Sequence, residues 1–481
     1  MKNLTRRHFL KTSLVTTAAL GLSPRSWAQV PGANDDIRVA VIGFNGRGRD
    51  HLNSASKLKG TRLTALCDVD KRVLDAAVKN FADGNQTVEG YLDIRKLLES
   101  KNVDAVAIAT PNHWHSLASI WACQAGKDVY VEKPVSHNVW EGRKVVEAAI
   151  KYNRMVQAGT QSRSSIEGIT AAVAWVRAGN LGKIKISRGL CYKARGTIGK
   201  VDGPQPIPPN IDYELWCGPA EKLPLMRKRL HYDWHWVWNT GNGDLGNQGI
   251  HEMDVARWFL GVNELSPRVL SLGGRLGYVD DGETPNTQII FHEYPEAPLI
   301  FEVRGLPSKA GARTMDKYKG ADIGIVIDCE GGHVTVPSYS SATAYDKEGK
   351  VLKEFRGSEN HFANFIQAVR SRKSSELHGQ ILDGHLSSAL CHTGNISYRL
   401  GKSASPEEIR EALKADKDAL ETFGRMAEHL AANEVDLLKA KATLGVFLKM
   451  DPKTERFTNN DQANELLARN YRKPFLVPAQ V

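Results

Sequence analysis

The sequence predicts an α/β fold in which a doubly wound parallel sheet is followed by a second domain of helices and short strands. Three observations carry that prediction. An apolar, β-branched run at 37–42 leads into a glycine-rich turn, Gly43-Phe44-Asn45-Gly46-Arg47-Gly48, then a polar helical stretch, a second apolar run at 63–66 and an acid, Asp68. Strand-like and helix-like stretches keep alternating as far as Gly159, which is the pattern of βαβ units. Beyond residue 160 the chain turns to short, β-branched, turn-bounded runs, which read as sheet.

Strand, tight turn, helix, strand and acid is the order of the first half of a dinucleotide-binding unit. Glycines let the backbone bend sharply and approach a pyrophosphate, whose charge then rests on the free N–H groups that open the helix. Gly43, Phe44, Asn45, Gly46 and Arg47 are therefore candidate cofactor contacts. Asp68 lies 25 residues after Gly43, where a carboxylate accepts hydrogen bonds from a ribose diol and repels a 2′-phosphate. The reading is NAD over NADP, softened by Lys71 and Arg72 next door. The glycine spacing is G-x-x-G-x-G rather than the standard G-x-G-x-x-G, and an ordinary tight turn in another α/β protein shows a similar cluster.

The pattern continues with a helix over 73–81, a short helix over 94–98 and a strand at 104–109 that ends in Thr110-Pro111-Asn112-His113-Trp114-His115. A helix near 116–125, a strand at 128–131, the tripeptide Glu132-Lys133-Pro134, a helix near 140–151 and a strand at 155–158 complete the sheet. A doubly wound sheet binds ligands at the C-terminal ends of its strands. Those ends carry Gly43, Asp68, Thr110, Asn112, His115, Glu132 and Lys133, which are the expected cofactor shell. Lys133 has a second expected role, because an ammonium beside the nicotinamide can hold a substrate hydroxyl and stabilise developing alkoxide, with desolvation lowering its pKa. The bland alternative is a surface lysine after a strand.

Residues 160–400 read as a helix near 167–178, a strand at 184–192, a loop with five prolines over 204–219, and short strands at 269–272, 287–291, 299–303, 324–329 and 333–336. Helices return at 360–370 and 382–400. Tyr192 and Lys193, at the end of a strand, are candidates for the substrate side. The segment 231–238 holds four aromatics, and Trp234 and Trp236 make a platform on which pyranose faces stack; core packing explains the same aromatics almost as well. His231 and His235 lack a third ligand, so no metal is assigned. His251 ends a glycine-rich loop and opens a helix running to Trp258; a histidine near its neutral pKa there can take a hydroxyl proton while hydride leaves the same carbon.

The glycine turn, the Thr110-Pro111-Asn112-x-x-His115 run and the Glu132-Lys133-Pro134 tripeptide together resemble the Gfo/Idh/MocA family, named for glucose-fructose oxidoreductase and inositol dehydrogenase. The similarity continues through 161–400. It implies a Rossmann domain over 37–159, then an α/β domain over 160–402 built on a large, mostly antiparallel open sheet that covers the nicotinamide and holds the substrate. It also implies homodimers or homotetramers paired through that sheet, and Lys133 with His251 as the catalytic pair. The family places an aspartate four residues before the histidine, where this chain has Asn247. Asparagine orients a hydrogen bond but holds no charge, so it leaves the basicity of His251 unraised. Asp244 or Asp254 could compensate, or serve only as helix-start residues.

Residues 403–481 exceed the family's usual length and read as a mostly helical extension, with a capped start at Ser405-Pro406-Glu407-Glu408, an ordered piece at 443–448 and a helix over 461–471. At the other end, Thr5-Arg6-Arg7-His8-Phe9-Leu10-Lys11, an apolar stretch at 14–22 and Ser26-Trp27-Ala28 form a twin-arginine signal over 1–28. That segment holds five of the ten surplus positive charges, and no basic run interleaved with aromatics follows, so nucleic acid is not an expected partner. No stretch is long and apolar enough to span a bilayer, and no cysteine marks a lipid anchor. The six cysteines lack C-x-x-C spacing and read as buried thiols. The expected protein is an exported oxidoreductase, periplasmic or secreted, that moves hydride between a sugar or glycoside hydroxyl carbon and a tightly held NAD. One alternative is an NAD-dependent glycoside hydrolase working by transient oxidation, elimination, hydration and re-reduction. A non-catalytic sugar-binding protein is the other, and Asp68, Lys133 and His251 together argue against it.

Overall fold

The computed structural model describes residues 36–481; the signal read at 1–28 lies outside the described residues. The N-terminal apolar runs form β1 (Ile37–Ile42), β2 (Thr61–Cys67), β3 (Glu89–Tyr91), β4 (Ala105–Ile108), β5 (Asp128–Val131) and β6 (Val156–Ala158). They make one parallel sheet in the order β3-β2-β1-β4-β5-β6. Every residue of β4 and β5 is buried, which is why these strands are continuously apolar rather than alternating. The strand order reverses between β1 and β4, and a crevice opens there at the carboxyl ends. The helix expected from 116 begins earlier and spans Asn112–Gln124. Pro111 has no N–H to lose at a helix start, so the polar quartet Asn112 to His115 becomes the first turn.

The second sheet comprises β7 (Ile184–Tyr192), β8 (Arg268–Gly274), β9 (Thr287–His292), β10 (Leu299–Arg304), β11 (Ile323–Cys329), β12 (Gly332–Ser338), β13 (Ser341–Asp346) and β14 (Val351–Arg356). Its order is β14-β13-β12-β11-β7-β10-β9-β8, antiparallel except for the parallel pair β7–β10. Helices Gly249–Leu260 and Ile381–Arg399 pack on it through Met253, Phe259 and Leu390, against Ile290, Phe301 and Ile327. Helix His361–Ser371 returns to the first domain, where Phe362, Phe365 and Ile366 join Val39, Val41 and Tyr130 in one core.

The extension expected to be mostly helical also carries strands. β15 (Lys402–Ala404), β16 (Ala442–Leu444) and β17 (Leu448–Asp451) lengthen the second sheet beyond β8, and β18 (Arg456–Phe457) pairs with β17. Helix Pro406–Leu413 opens with a capping box between Ser405 and Glu408. Helix Lys417–Ala432 lays Phe423, Met426 and Leu430 against Ile289, Phe291 and Ile300, covering that part of the sheet. The helix expected over 461–471 stops at Glu465. Tertiary contacts win over local propensity: Arg469 reaches Asn239, Tyr471 reaches Glu141, and Phe475 fills the first domain's core beside Trp114. All six cysteines are buried free thiols.

Candidate active site

At the carboxyl ends of β1, β2, β4 and β5 a cleft of about 670 Å³ runs between the two domains. Two glycines of the turn are required sterically. Gly43 has φ +76°, and a Cβ there would lie 2.9 Å from the Thr110 backbone; at Gly48 it would lie 2.0 Å from the Gly43 carbonyl oxygen. Gly46 instead lines the cleft with nothing within 4 Å of where a Cβ would stand, so a ligand can approach its backbone closely. The Asp68 carboxylate accepts from the Phe44 N–H at 3.1 Å and the Asp70 N–H at 3.0 Å, which ties the acid to the glycine turn. Burial pushes its pKa up, and those two N–H groups oppose the rise.

Around this turn the predicted shell divides into groups that face the cleft and groups that hold it together. Glu132 Oε1 accepts from Arg47 Nε and contacts His51 Nε2, both at 3.0 Å. Burial alone would raise its pKa, but the His51 hydrogen bond and the charges of His51, Arg47 and Lys133 hold it well below the carboxylate range. Its charge therefore braces the end of β5. His115 spans the two turns, with Nδ1 at 2.6 Å from the Pro134 carbonyl and Nε2 at 2.7 Å from the Thr110 carbonyl. Asn112 Nδ2 donates across the domain boundary to Asn242 Oδ1 at 3.0 Å. Thr110 lines the cleft and its Oγ1 is buried with no hydrogen-bond partner, a group a ligand can satisfy. Asn45 is exposed at the cleft mouth.

On the other side of the cleft, Lys133 Nζ donates to the Asn247 carbonyl at 2.7 Å. Burial lowers its pKa, against the pull of Glu132, Glu252 and Asp244. His251 is 7% exposed and its Nδ1 has no partner. Burial and the Lys133 charge hold its pKa well below the ordinary histidine value, which favours the neutral ring. Neither candidate acid supports it. Asp244 is held by Arg195 at 2.8 and 2.7 Å, and Asp254 by Arg163 at 2.8 and 2.9 Å. Asn247 Nδ2 is 3.5 Å from Asp244.

Two expected substrate contacts lie elsewhere. Tyr192 is buried away from the cleft, its hydroxyl donating to Glu302 at 2.7 Å. Successive strand side chains point to opposite faces, so the neighbour that lines the cleft is Lys193, whose Nζ donates to Gln248 Oε1 at 2.7 Å. Trp236 is 5% exposed and packs beneath the Arg195 guanidinium, 5.4 Å from its ring centre. Trp234 does line the cleft, stacked on His235 at 3.6 Å between ring centres. Gln248 and Tyr339 were not anticipated. Gln248 Nε2 donates to the Tyr339 hydroxyl at 2.7 Å and to Glu252 Oε1 at 3.1 Å, and the Tyr339 ring stands 4.8 Å from that of His251. Burial keeps Glu252 protonated, its pKa pushed up to about 8.

The proline-rich loop closes the β2 end of the cleft. Asn210 Nδ2 donates to Asp70 Oδ1 at 2.6 Å, the Asn210 carbonyl accepts from the Lys71 N–H at 2.9 Å, and His231 Nε2 stands 3.2 Å from Asp70 Oδ2. Lys71 itself pairs with Asp75 at 2.6 Å. Among the described residues no group of three His, Cys, Asp or Glu side chains is placed to hold a metal ion.

Residues 37–160 match the family described as the Gfo/Idh/MocA oxidoreductases with an NAD-binding Rossmann fold, and residues 175–283 match that family's C-terminal α/β domain. The chain belongs to the Gfo/Idh/MocA family. Residues 3–23 match the twin-arginine translocation signal, which implies export across a membrane, and no described helix is long and apolar enough to cross one. Curated relatives include a glycosyl hydrolase family 109 protein from Shewanella sp. strain ANA-3, 34% identical over 171 residues, covering 31% of this chain and 38% of that one. A namesake from Shewanella baltica is 33% identical over 172 residues, with the same coverage. The chain thus spans well under half the length of these relatives. Among solved structures, the WlbA dehydrogenase from Bordetella pertussis, in complex with NADH and UDP-GlcNAcA, superposes with a TM-score of 0.53 at 19% identity, over 74% of this chain and 94% of that one. An oxidoreductase domain protein from Kribbella flavida gives 0.55 at 17% identity, over 75% and 96%. These likenesses bear on the fold of this Gfo/Idh/MocA member.

Proposed function

We propose that this Gfo/Idh/MocA protein is an exported enzyme that transfers hydride between a hydroxyl carbon of a sugar or glycoside and a tightly held NAD. The observation that carries the reading is the meeting, in one cleft, of the glycine turn with Asp68 and the pair Lys133 and His251. The residues present fit the dinucleotide: Gly46 leaves room for close backbone approach, Thr110 Oγ1 lacks a partner, and Asp68 is fixed at the end of β2. When bound, the nicotinamide supplies a carbon that accepts hydride and returns it. Lys133 holds the reacting hydroxyl by its ammonium and stabilises alkoxide character, while the neutral His251 imidazole takes the proton. Tyr339, oriented by Gln248, and Trp234 supply hydrogen bonding and a ring face for the sugar. The domain limits follow as 37–159 for the cofactor, 160–402 for substrate and assembly, and 403–481 as the extension. The loop pinned to Asp70 favours slow cofactor exchange, which suits a periplasmic enzyme with no free nucleotide to draw on. Homodimers or homotetramers would pair outside the part of the sheet that helix Lys417–Ala432 covers.

Because Asp68 sets the preference for NAD over NADP, Asp68→Ala is expected to weaken NAD retention and to raise the NADP-to-NAD affinity ratio about tenfold or more, since it removes both the diol acceptor and the repulsion of a 2′-phosphate. Competitive loading of stripped protein, read by mass spectrometry, measures that ratio. An unchanged ratio removes Asp68 from the role.

A second reading has support from the curated relatives, whose names are those of glycosyl hydrolases: transient oxidation acidifies the neighbouring C–H, the glycosidic group leaves, water adds, and hydride returns. No cofactor is consumed, which an exported protein needs. Product masses from glycosides at amounts near the enzyme concentration separate the two. Loss of two hydrogens from the intact glycoside establishes dehydrogenation. Cleavage to free sugar and alcohol without lasting NADH absorbance establishes the hydrolase, and neither product overturns both.

A further inference from the structure

A second cavity, of about 710 Å³, lies behind the Asn112–Asn242 hydrogen bond that walls the main cleft. One side is a single face of helix Ile381–Arg399, where His392, Asn395, Ile396 and Arg399 follow the spacing of a helical stripe. Residues 465–470 of the extension form another side. His392 and Asn395 on this face are buried, with His392 Nε2 3.2 Å from Ser136 Oγ, whereas Arg399 at the end of the helix is exposed. Some of these groups are already fixed: Asn395 Nδ2 donates to the Asn242 carbonyl at 3.0 Å, and Arg469 Nη2 donates to the Asn239 carbonyl at 2.6 Å and to its Oδ1 at 2.7 Å. Others are uncommitted. Among the described residues Arg399 makes no side-chain hydrogen bond or ion pair, its guanidinium held 5.2 Å from the centre of the Trp238 ring.

The composition of the lining decides the ligand class. Arg399 and Arg469 are matched by Glu221 and Glu465, so an anion gains no net attraction. An apolar ligand would strip water from the amides and guanidinia without replacing their hydrogen bonds. Hydroxyl groups both donate and accept, so they satisfy the guanidinium of Arg399, the carboxylates of Glu221 and Glu465 and the amide of Asn470 together. Trp238, Ile396 and Leu466 offer apolar surface for the C–H face of a ring. We propose that this cavity is a second saccharide-binding site, which holds a short neutral oligosaccharide beside the reaction cleft without reacting it. A chain held there raises the local concentration of sugar at the cleft. The inference stands apart from the hydride-transfer reading, because binding is measured without turnover.

Calorimetric titration of the purified, nucleotide-loaded protein with chitotetraose, cellotetraose and maltotetraose is the test. At least one should bind, and Trp238→Ala and Arg399→Met should each weaken that binding tenfold or more while bound nucleotide and turnover of a monosaccharide substrate stay at the wild-type level. Glu465→Gln combined with Asn470→Ala, at exposed positions, gives a readout that does not depend on the fold tolerating a change at Trp238. Three outcomes overturn the proposal: no binding of any of the three sugars, binding that all these variants leave unchanged, or sedimentation showing that the variants split an oligomer and that the cavity is a subunit contact.

Discussion

Lys133→Met is expected to cut turnover at least a thousandfold while leaving the nucleotide in place. Methionine keeps most of the length and apolar volume of lysine but removes the charge, so the change tests the ammonium rather than the packing. Two contributions disappear together: the donor that positions the reacting hydroxyl and the charge that stabilises alkoxide character, each worth about 10²–10³ in comparable sites. The rest of the cofactor shell is held by bonds that do not involve Lys133. The Gly43 N–H donates to the Cys67 carbonyl and the Phe44 N–H to the Asp68 carboxylate, and Glu132 keeps Arg47 and His51 without Lys133. The Asn247 carbonyl that loses the ammonium lines the cleft, where water replaces the bond. The measurement pairs product formation with the nucleotide content of the purified protein. Turnover above a tenth of wild type removes Lys133 from the chemistry, whereas loss of nucleotide with loss of turnover makes it a binding residue.

How much of this was legible in the sequence depends on range. The glycine turn and the strand ends were legible because their demands are local. Gly43 must take positive φ, and Gly48 must let the turn fold back on itself, and both constraints leave a residue type at a fixed place. Strand counting puts Asp68 and Lys133 at strand ends, and the role expected of Lys133 came from the family resemblance. On the substrate side parity mattered: Tyr192 and Lys193 are adjacent and both were candidates, but neighbours along a strand face opposite ways, so only the lysine lines the cleft. Trp236 ends a short helical turn, Asp233–Trp236, and packs under Arg195 instead of facing the cleft. Tyr339 sits in the hairpin between β12 and β13 and reaches His251 only through sheet pairing, which no local pattern encodes. In the extension, local propensity carried the helix past Glu465, whereas contacts to Asn239, Glu141 and the first domain's core drew the chain straight. The Asn247 departure was visible at once, but its consequence was not: both acids nearby are spent on arginines, so the His251 imidazole is left with no carboxylate partner and its Nδ1 unpaired.

The burial that favours a neutral His251 is shared by other histidines and is expected to make the protein acid-labile, with the melting temperature falling steeply as pH drops below about 6. Burial holds His113, His235, His292 and His392 at pKa values of about 3, and His361 at about 4. Unfolded, each titrates near 6.5. The sign follows: as pH falls below 6.5 the unfolded chain takes up protons that the folded chain refuses, so stability is lost from that point down to the folded values. At pH 5 each group costs about 2 kcal/mol, and five of them reach the size of an ordinary domain's whole stability, about 5–15 kcal/mol. Glu252, held neutral with its pKa at about 8, works in the opposite direction, since its folded form binds the extra proton between about 4.5 and 8; Asp68 and Glu141 are raised too, and together they offset only part of the five. Thermal melts at pH 7, 6 and 5 in one buffer series measure the slope, and a flat melting temperature across that range contradicts the buried-histidine account. The same burial separates stability from catalysis. His251 stays unprotonated well below 6.5, so turnover measured far beneath the melting temperature should hold level from pH 7 to pH 6, and acid inactivation on warming should track unfolding rather than titration of the base. A rate that instead halves near pH 6.5 in the folded protein would mean that His251 titrates like an exposed histidine and that the cleft admits water to it.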